Sequence, residues 1–362
     1  MPAKDMNTIH GGDIWGAARR LGISPSEIMD FSASICPIGP SPLAISAIKE
    51  GMATVCAYPD REAFALRQAL ADYHGLSISN ILPANGSTEL IYLIPQVLKP
   101  EKALIAEPAF SEYRCSLELS GVNVEDFSAL EKDLFAIDVK GLINRLRQGF
   151  DVFYIANPAN PTGAFMCKDA LFEIAQACAE HSAYLVVDEA FVDFVEHGSV
   201  KVFVKGFKNL IVLRSMTKFF SIPGLRLGYL VAHESLIERF SARMPPWSVN
   251  SLALLAGEKT IGDKAHMQRV REWFGEESGF LYEGLKNTGR LKPYPSSANF
   301  FMLKVMAEGV DMAHLKTALL REKILIRGLS DFKGLEGFIR VSLRTRDENM
   351  LLINTLSAMG LT

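Results

Sequence analysis

The sequence predicts an α/β protein: a large domain with a mostly parallel sheet covered by helices, plus a smaller α+β domain. Three observations lead to the layout. Five short apolar runs rich in branched residues, 103–106, 152–156, 184–187, 210–213 and 228–231, are mostly separated by helix-length segments. Strands buried on both faces of a parallel sheet read this way. The pattern changes after about residue 248, where a long helical stretch gives way to alternating strands and helices. The length, 362 residues, matches about two domains at roughly 150 residues each.

Taken in order, 170–180 reads as one of the covering helices, with Leu171, Ile174, Ala175 and Cys178 at helical spacing. Residues 248–284 read as one long helical element crossing between domains. Strands follow at 299–303, 324–327 and 338–342, beside helices at 312–322 and 346–358. The opening segment, to about Pro42, is too short for its own core and is expected to pack with the C-terminal region. The expected division is therefore a large domain over 45–245 and a small one built from 1–44 and 246–362.

Composition narrows the function classes. Hydrophobic residues are 49% and charged residues 22%, enough for a sizeable core and unlike a disordered chain. With 38 basic and 41 acidic side chains the net charge is −3, so no basic footprint for nucleic acid is present. The longest uncharged stretch, 31–48, is broken by Pro37, Gly39, Pro40 and Pro42 and is not expected to span a bilayer. Met1-Pro-Ala-Lys-Asp5 carries no apolar leader. Five cysteines, an odd count without C-x-x-C spacing, read as reduced core thiols of a cytoplasmic protein. The seven histidines show no metal-ligand spacing, so no metal site is expected. The nucleotide-binding signatures G-x-G-x-x-G and G-x-x-x-x-G-K-[ST] are missing, as are G-x-S-x-G and H-E-x-x-H.

Four features follow the strands of the larger domain, where open α/β sheets bind ligands. Asn85-Gly86-Ser87-Thr88-Glu89 opens a helix and offers amides and hydroxyls to an anion; alone it is an ordinary N-cap. Asn157-Pro-Ala-Asn160-Pro-Thr-Gly163 is a rigid non-helical loop that fixes its asparagines. Asp188 directly follows Leu185-Val-Val187, and a carboxylate buried there needs a cation or a strong donor. Lys218 lies between an apolar strand and Phe219-Phe220, where desolvation favours a neutral, nucleophilic amine. A phosphate cradle, an asparagine, a buried aspartate and a lysine at successive strand ends suit pyridoxal 5'-phosphate. Its phosphate needs amides, hydroxyls and an arginine; its ring nitrogen needs a carboxylate; its aldehyde needs an amine.

With Ser215-x-x-Lys218 followed by Pro223-Gly-Leu-Arg226-Leu-Gly228, and with Asn157-Pro-x-Asn160-Pro-Thr-Gly and Asp188-Glu-Ala upstream, the chain resembles the fold-type-I pyridoxal-phosphate enzymes of the class I/II aminotransferase superfamily. The resemblance runs from His10 to about Arg346. Within it the chain is most similar to the L-threonine-O-3-phosphate decarboxylases of cobalamin biosynthesis, and next to the histidinol-phosphate aminotransferases. The residues favouring the former are His10-Gly-Gly-Asp13, Leu21-Gly-Ile-Ser-Pro25, Asp30-Phe-Ser-Ala33, Asp188-Glu-Ala-Phe-Val-Asp-Phe194, Thr217-Lys-Phe219 and Pro246-Trp-Ser-Val-Asn250.

The resemblance implies roles. Lys218 carries the cofactor, Asp188 pairs with its ring nitrogen, and Asn160 bonds its 3′ oxygen. Phe110 stacks on the ring, and Gly86, Ser87, Ser215 and Arg226 hold its phosphate. Tyr58 is lent to the phosphate of a neighbouring subunit, which implies a homodimer with shared sites. Arg340 binds the substrate carboxylate, and Arg327, with His10 and Gly11, lies on the substrate-phosphate side. Arginine suits both tasks because its planar fork pairs bidentately. Two departures stand out. Ser34 replaces an asparagine that touches substrate in the family, and serine reaches less far. Phe191 stands where many aminotransferases have a tyrosine that donates to the 3′ oxygen. The implied activity is decarboxylation of a small phosphorylated amino acid, O-phospho-L-threonine, to (R)-1-amino-2-propanol phosphate; the alternative is transamination of histidinol phosphate. A cofactor-binding transcription regulator is not expected, because the aminotransferase-like region already begins near His10.

Overall fold

The computed structural model describes residues 10–306 and 311–359; the opening stretch Met1 to Asp5 lies outside them. By its contacts the chain divides into two compact units. The larger is Ile38–Asn160 with Ala164–Val270, and the smaller is Met1–Pro37 with Pro161–Gly163 and Arg271–Thr362.

The larger unit is built on a seven-stranded sheet in the order Ile81–Ala84, Gly228–Ala232, Leu210–Ser215, Tyr184–Asp188, Val152–Ala156, Lys102–Glu107, Asn123–Ser128. Six strands run the same way. Gly228–Ala232 alone is reversed and pairs antiparallel with both neighbours. All five apolar runs are strands. The two strands that the apolar-run signal misses are the sheet's edges, and each has a physical reason to be quiet. Ile81–Ala84 contains Pro83, which an edge tolerates because it donates no ladder bond there. Asn123–Ser128 carries Asn123, Glu125 and Asp126 and is mostly half-buried, as an edge facing water requires.

Alternate residues of the inner strands serve opposite faces. Ile105, Val152, Tyr154, Val186, Ile211, Leu213 and Leu230 join one buried cluster with side chains of helices Gly86–Leu98, Glu112–Leu119 and Glu234–Ser241. Their neighbours Leu104, Phe153, Leu185, Val187, Val212 and Val231 are equally buried on the other face. Helix Lys168–Glu180 buries Leu171, Ile174, Ala175 and Cys178.

That second face also holds a buried charge network. Arg214, 0% exposed, donates through Nη1 to Glu189 (3.1 Å) and Ser199 (3.2 Å) and through Nη2 to Asp193 (2.6 Å) and Glu196 (2.6 Å). Lys201 pairs with Glu196 and donates to His74 Nδ1 at 2.7 Å. His74 Nδ1 must therefore accept, so its proton sits on Nε2, 2.8 Å from the Tyr229 hydroxyl. Burial, with Arg214 and Lys201 close by, holds the His74 pKa well below the ordinary histidine value.

The helical stretch expected over 248–284 is two helices, Ser251–Gly262 and Lys264–Asn287. Asp263 makes the break. It leaves helical geometry (φ −87°, ψ 73°), accepts the Ser41 hydroxyl at 2.6 Å, and accepts the His266 N–H at 3.0 Å as a cap for the second helix. Helix Ser251–Gly262 packs on Pro42–Glu50 and Phe64–His74.

In the smaller unit, Arg327–Gly328, Phe338–Ser342, Phe300–Val305 and Leu291–Pro293 form an antiparallel sheet in that order. The single strand expected at 324–327 is split at Ile326. Ile324–Leu325 pairs in parallel with Met29–Asp30, tying the opening segment to this unit, while Arg327–Gly328 pairs with Phe338–Ser342. Helix Arg346–Ala358 starts at a reciprocal cap between Thr345 and Glu348. The reading of all five cysteines as core thiols needs correction. Cys36 and Cys178 are buried, but Cys56 and Cys167 are exposed. Cys56 ends a short, largely exposed 3-10 helix, Gly51–Cys56, and Cys167 stands at the N-cap of a helix. Among the described residues no helix is long and apolar enough to cross a membrane.

Candidate active site

The carboxyl ends of the six co-directional strands converge on one sheet edge. Gly86 and Ser87 follow Ile81–Ala84, Phe110 follows Lys102–Glu107, Asn160 follows Val152–Ala156, Asp188 ends its own strand, and Lys218 follows Leu210–Ser215. Arg226 precedes the reversed strand and so reaches the same edge. Gly228 is in register with Ala84 on one side and Ser215 on the other, which gathers Gly86, Ser215 and Arg226 into one corner.

That corner is shaped by two glycines. Gly86 has φ +77°, and a Cβ there would stand 3.1 Å from Arg226 Nη2. A Cβ on Gly228 would stand 2.4 Å from the Ser87 amide nitrogen, so the reversed strand lies directly against the turn that opens helix Gly86–Leu98. Asn85, at the N-cap, makes no side-chain bond to that helix, and the dipole and first-turn amides are offered to an anion. Arg226 is exposed and in left-handed geometry (φ +57°), its Nη1 donating to the Pro223 carbonyl at 3.2 Å. The Ser215 hydroxyl is 2.8 Å from that of Thr217, to which Lys218 Nζ donates. A glycine cradle under a guanidinium, beside a helix N-terminus and two hydroxyls, fits the phosphate of pyridoxal phosphate.

Asp188 is buried. Its Oδ2 accepts the Tyr113 hydroxyl at 2.6 Å and its Oδ1 accepts the Ala190 N–H at 2.9 Å. It caps no helix. Burial raises its pKa, opposed by the Tyr113 and Ala190 hydrogen bonds and by Lys218. Such a carboxylate suits a cationic ring nitrogen. Lys218 is half-buried, with Nζ 5.8 Å from the centroid of the buried Phe191 ring. Phe110 is half-buried, edge-on to Tyr113 at 5.8 Å. The two asparagines divide their work. Asn157 is clasped to the Met166 backbone, donating to its carbonyl at 3.0 Å and accepting its N–H at 2.7 Å. It builds the loop that presents the half-buried Asn160. Tyr58 is 79% exposed and stacked on Trp247, centroids 4.5 Å apart. Tyr113, absent from the sequence reading, has no local signal: it lies 75 residues from Asp188, and only the sheet order brings them together.

The smaller unit assembles the remaining residues. Arg327 and Arg340 are buried and face each other across adjacent antiparallel strands. Arg327 donates to Asp331 at 2.6 Å and to the Gly328 carbonyl at 2.5 Å. Arg340 donates to the Ser32 carbonyl at 2.8 Å. Burial, then repulsion from Arg327, pushes the Arg340 pKa down to about 10, with Asp30 opposing. Like charges directly opposed on a sheet are unfavourable, so the pair is suited to an arriving anion. The Asp30 carboxylate accepts the Ser32 hydroxyl (2.6 Å) and the Ser32 and Ala33 N–H groups, and the Ser32 hydroxyl accepts the Gly12 N–H at 2.8 Å. A Cβ on Gly11 would stand 2.1 Å from the Ser32 carbonyl oxygen. The turn therefore places the exposed His10 and the half-buried Gly11 beside the residue that Arg340 grips. The Ser34 hydroxyl is buried, 3.1 Å from that of Ser342.

The family model described as aminotransferase class I and II matches residues 26–356. The chain is 38% identical to threonine-phosphate decarboxylase of Salmonella typhimurium over 355 residues, 97% of this chain and 96% of that one. Among solved structures it is similar to L-threonine-O-3-phosphate decarboxylase from Porphyromonas gingivalis, with TM-score 0.79 and 28% identity over 90% of this chain and 97% of that one. It is also similar to histidinol-phosphate aminotransferase from Clostridium acetobutylicum, with TM-score 0.84, 28% identity and the same coverage.

Proposed function

Because the chain belongs to the class I and II aminotransferase family, an enzyme class dependent on pyridoxal phosphate, we propose that it decarboxylates O-phospho-L-threonine to (R)-1-amino-2-propanol phosphate for cobalamin biosynthesis. The observation that carries this reading is the opposed pair Arg327 and Arg340, two guanidiniums for a substrate with both a phosphate and a carboxylate. The 38% identity to a threonine-phosphate decarboxylase supports it.

Pyridoxal phosphate, when bound, supplies a carbonyl for the substrate amine and a cationic ring that withdraws electrons from the breaking bond. The side chains do the rest. Gly86, Ser87, Ser215 and Arg226 hold the phosphate, Phe110 forms one wall, and Asn160 bonds the 3′ oxygen. Asp188 keeps a proton on the ring nitrogen. Lys218 would hold the aldehyde carbon of the bound cofactor, and in its ammonium form it would stand as a proton donor at the substrate's Cα. In the smaller unit Arg340 holds the carboxylate, Arg327 with His10 and Gly11 holds the substrate phosphate, and Ser34 borders them. These anchors would decide which bond at Cα is presented to the cofactor. The cofactor's 3′ oxygen has Asn160 as its neutral partner, since Phe191 has no hydroxyl.

Product analysis tests the assignment. Purified enzyme with O-phospho-L-threonine is expected to release CO2 and aminopropanol phosphate, with little glutamate formed from histidinol phosphate and 2-oxoglutarate. Faster glutamate formation than CO2 release makes the histidinol-phosphate aminotransferase reading correct instead. Arg327→Ala is expected to lower kcat/KM for the phosphorylated substrate by about 100-fold or more, the cost of unpairing a buried charge. Cofactor affinity, measured by equilibrium dialysis, should stay nearly unchanged.

A homodimer with shared sites belongs to the same reading. Tyr58 projects from the surface among other exposed apolar side chains, Met52, Val55 and Phe64, where a second copy would cover them. Tyr58→Phe is expected to weaken cofactor retention by about 1.5–3 kcal/mol, one hydrogen bond to a charged group. A monomer active at assay concentration refutes the shared site. Free cysteines at all five positions suit the cytoplasmic location we assign.

A further inference from the structure

We propose that Tyr113 is a positioning residue: through its hydrogen bond it keeps the Asp188 carboxylate ionised and aimed at the cofactor's ring nitrogen. The inference rests on the reading that Asp188 meets that nitrogen.

The geometry is specific. The Tyr113 hydroxyl donates to Asp188 Oδ2 at 2.6 Å, while the Ala190 N–H takes Oδ1 at 2.9 Å. Each oxygen therefore keeps a lone pair for one further donor. Tyr113 is itself held. It lies in the first turn of helix Glu112–Leu119, its ring is edge-on to Phe110 (5.8 Å, 83°), and it leans on Tyr154 of the adjacent strand (5.5 Å). One side chain thus touches both the residue assigned to the ring's face and the residue assigned to its nitrogen.

The charge logic follows. Asp188 is flanked in the sheet by Ala156 and Leu213, neither of which carries charge. The titratable groups that act on it are Tyr113 and Lys218; Tyr154 and Glu107 act on Tyr113 in turn. Burial drives Asp188 toward its neutral form, and the Tyr113 bond is the foremost opposing influence. Burial and the adjacent carboxylate hold the Tyr113 pKa well above the ordinary tyrosine value, so Tyr113 remains the donor. Tyr154 offers a contrast. Its hydroxyl is buried with no hydrogen-bond partner among the described residues.

The test is the pH titration of the visible absorbance of the cofactor-loaded protein. Without the Tyr113 bond Asp188 is more basic and draws the proton from the ring nitrogen. The ring becomes less electron-withdrawing, the linkage nitrogen at Lys218 becomes more basic, and the titration midpoint rises. Tyr113→Phe is expected to raise it by about one pH unit and to lower kcat about tenfold with KM little changed. Replacing Tyr113 with a ring-difluorinated tyrosine, a stronger donor of nearly the same shape, should lower the midpoint and covers the case in which Tyr113→Phe folds poorly. Asp188→Asn should raise the midpoint further, and Tyr113→Phe should add nothing in that background. Tyr154→Phe should leave the midpoint in place. A midpoint unmoved by either Tyr113 replacement, while Asp188→Asn moves it, overturns the inference and leaves Tyr113 a packing residue. A midpoint unmoved by Asp188→Asn overturns the assignment of Asp188 first, and the inference with it.

Discussion

Lys218→Ala is expected to abolish turnover, with a loss on the order of 10^4- to 10^6-fold, the scale set by removing a covalent catalytic group. The protein should still fold, because Lys218 is half-buried and follows the strand rather than lying within it. The phosphate cradle we propose, Gly86, Ser87, Ser215 and Arg226, should still retain cofactor. What disappears is the covalent link. Borohydride treatment of the wild type should fix the cofactor on Lys218 alone, and the variant should release all of it on denaturation. Lys201 is the instructive comparison. It is the more buried of the two lysines, yet its amine is engaged by Glu196 and by His74 Nδ1, so it serves the buried network and not the cofactor. A label found on Lys201, or on any lysine other than 218, would refute the assignment.

Arg214→Met is expected to cost about 3–5 kcal/mol of stability, the usual penalty for leaving a buried charge partner uncompensated. For a unit of this size that lowers the melting temperature by roughly 10 °C. The guanidinium bonds Glu189, Asp193 and Glu196, and the substitution replaces it with a side chain of similar length and no charge. The pH dependence carries a sign. Burial pushes the Glu189 carboxyl up to about 7 from the ordinary 4.5, against the attraction of Arg214 and the bonds from Ser199 and Val200. The folded state thus binds this proton more tightly than the unfolded state. Its contribution is complete below about pH 4.5 and is lost as pH rises through about 7. Melting temperatures across that range should show a falling component that Glu189→Gln removes. In Arg214→Met, where the opposing attraction is gone, the fall should extend to higher pH. A melting curve for Arg214→Met that matches the wild type at every pH rules out this account of the network.

The inner strands were legible because burial on both faces demands unbroken branched residues, and the candidate site residues Asn160, Asp188 and Lys218 were conspicuous as polar groups in the segments that follow those runs. The edge strand with Pro83 and the one with Glu125 and Asp126 were not, since an edge obeys a different rule. The split at Ile326 was hidden because one continuous run, 324–327, serves two different sheets. Glu189 was hidden by its neighbour. In Asp188-Glu189 one carboxylate faces Tyr113 and the other faces Arg214, and linear sequence does not show that adjacent residues serve opposite faces. The facing of Arg327 and Arg340 depends on strand register, which no local pattern reveals.

The reversed strand Gly228–Ala232 has a consequence for how the chain tolerates insertion and deletion. In an all-parallel sheet the chain leaving Ser215 would have to cross back along the sheet before its next strand, and the residues just ahead of that strand would emerge at the far end. Reversal lets one short connection, 216–227, carry Lys218 at its start and Arg226 near its finish, both delivered to the same edge. The amine and the guanidinium are thereby spaced by a measured length of backbone, clamped at Ser215 and Gly228, which pair directly. Substitutions between them change local packing, but adding or removing a single residue shifts one group against the other. In a set of natural or randomised variants of this segment, its length should therefore vary less than its composition.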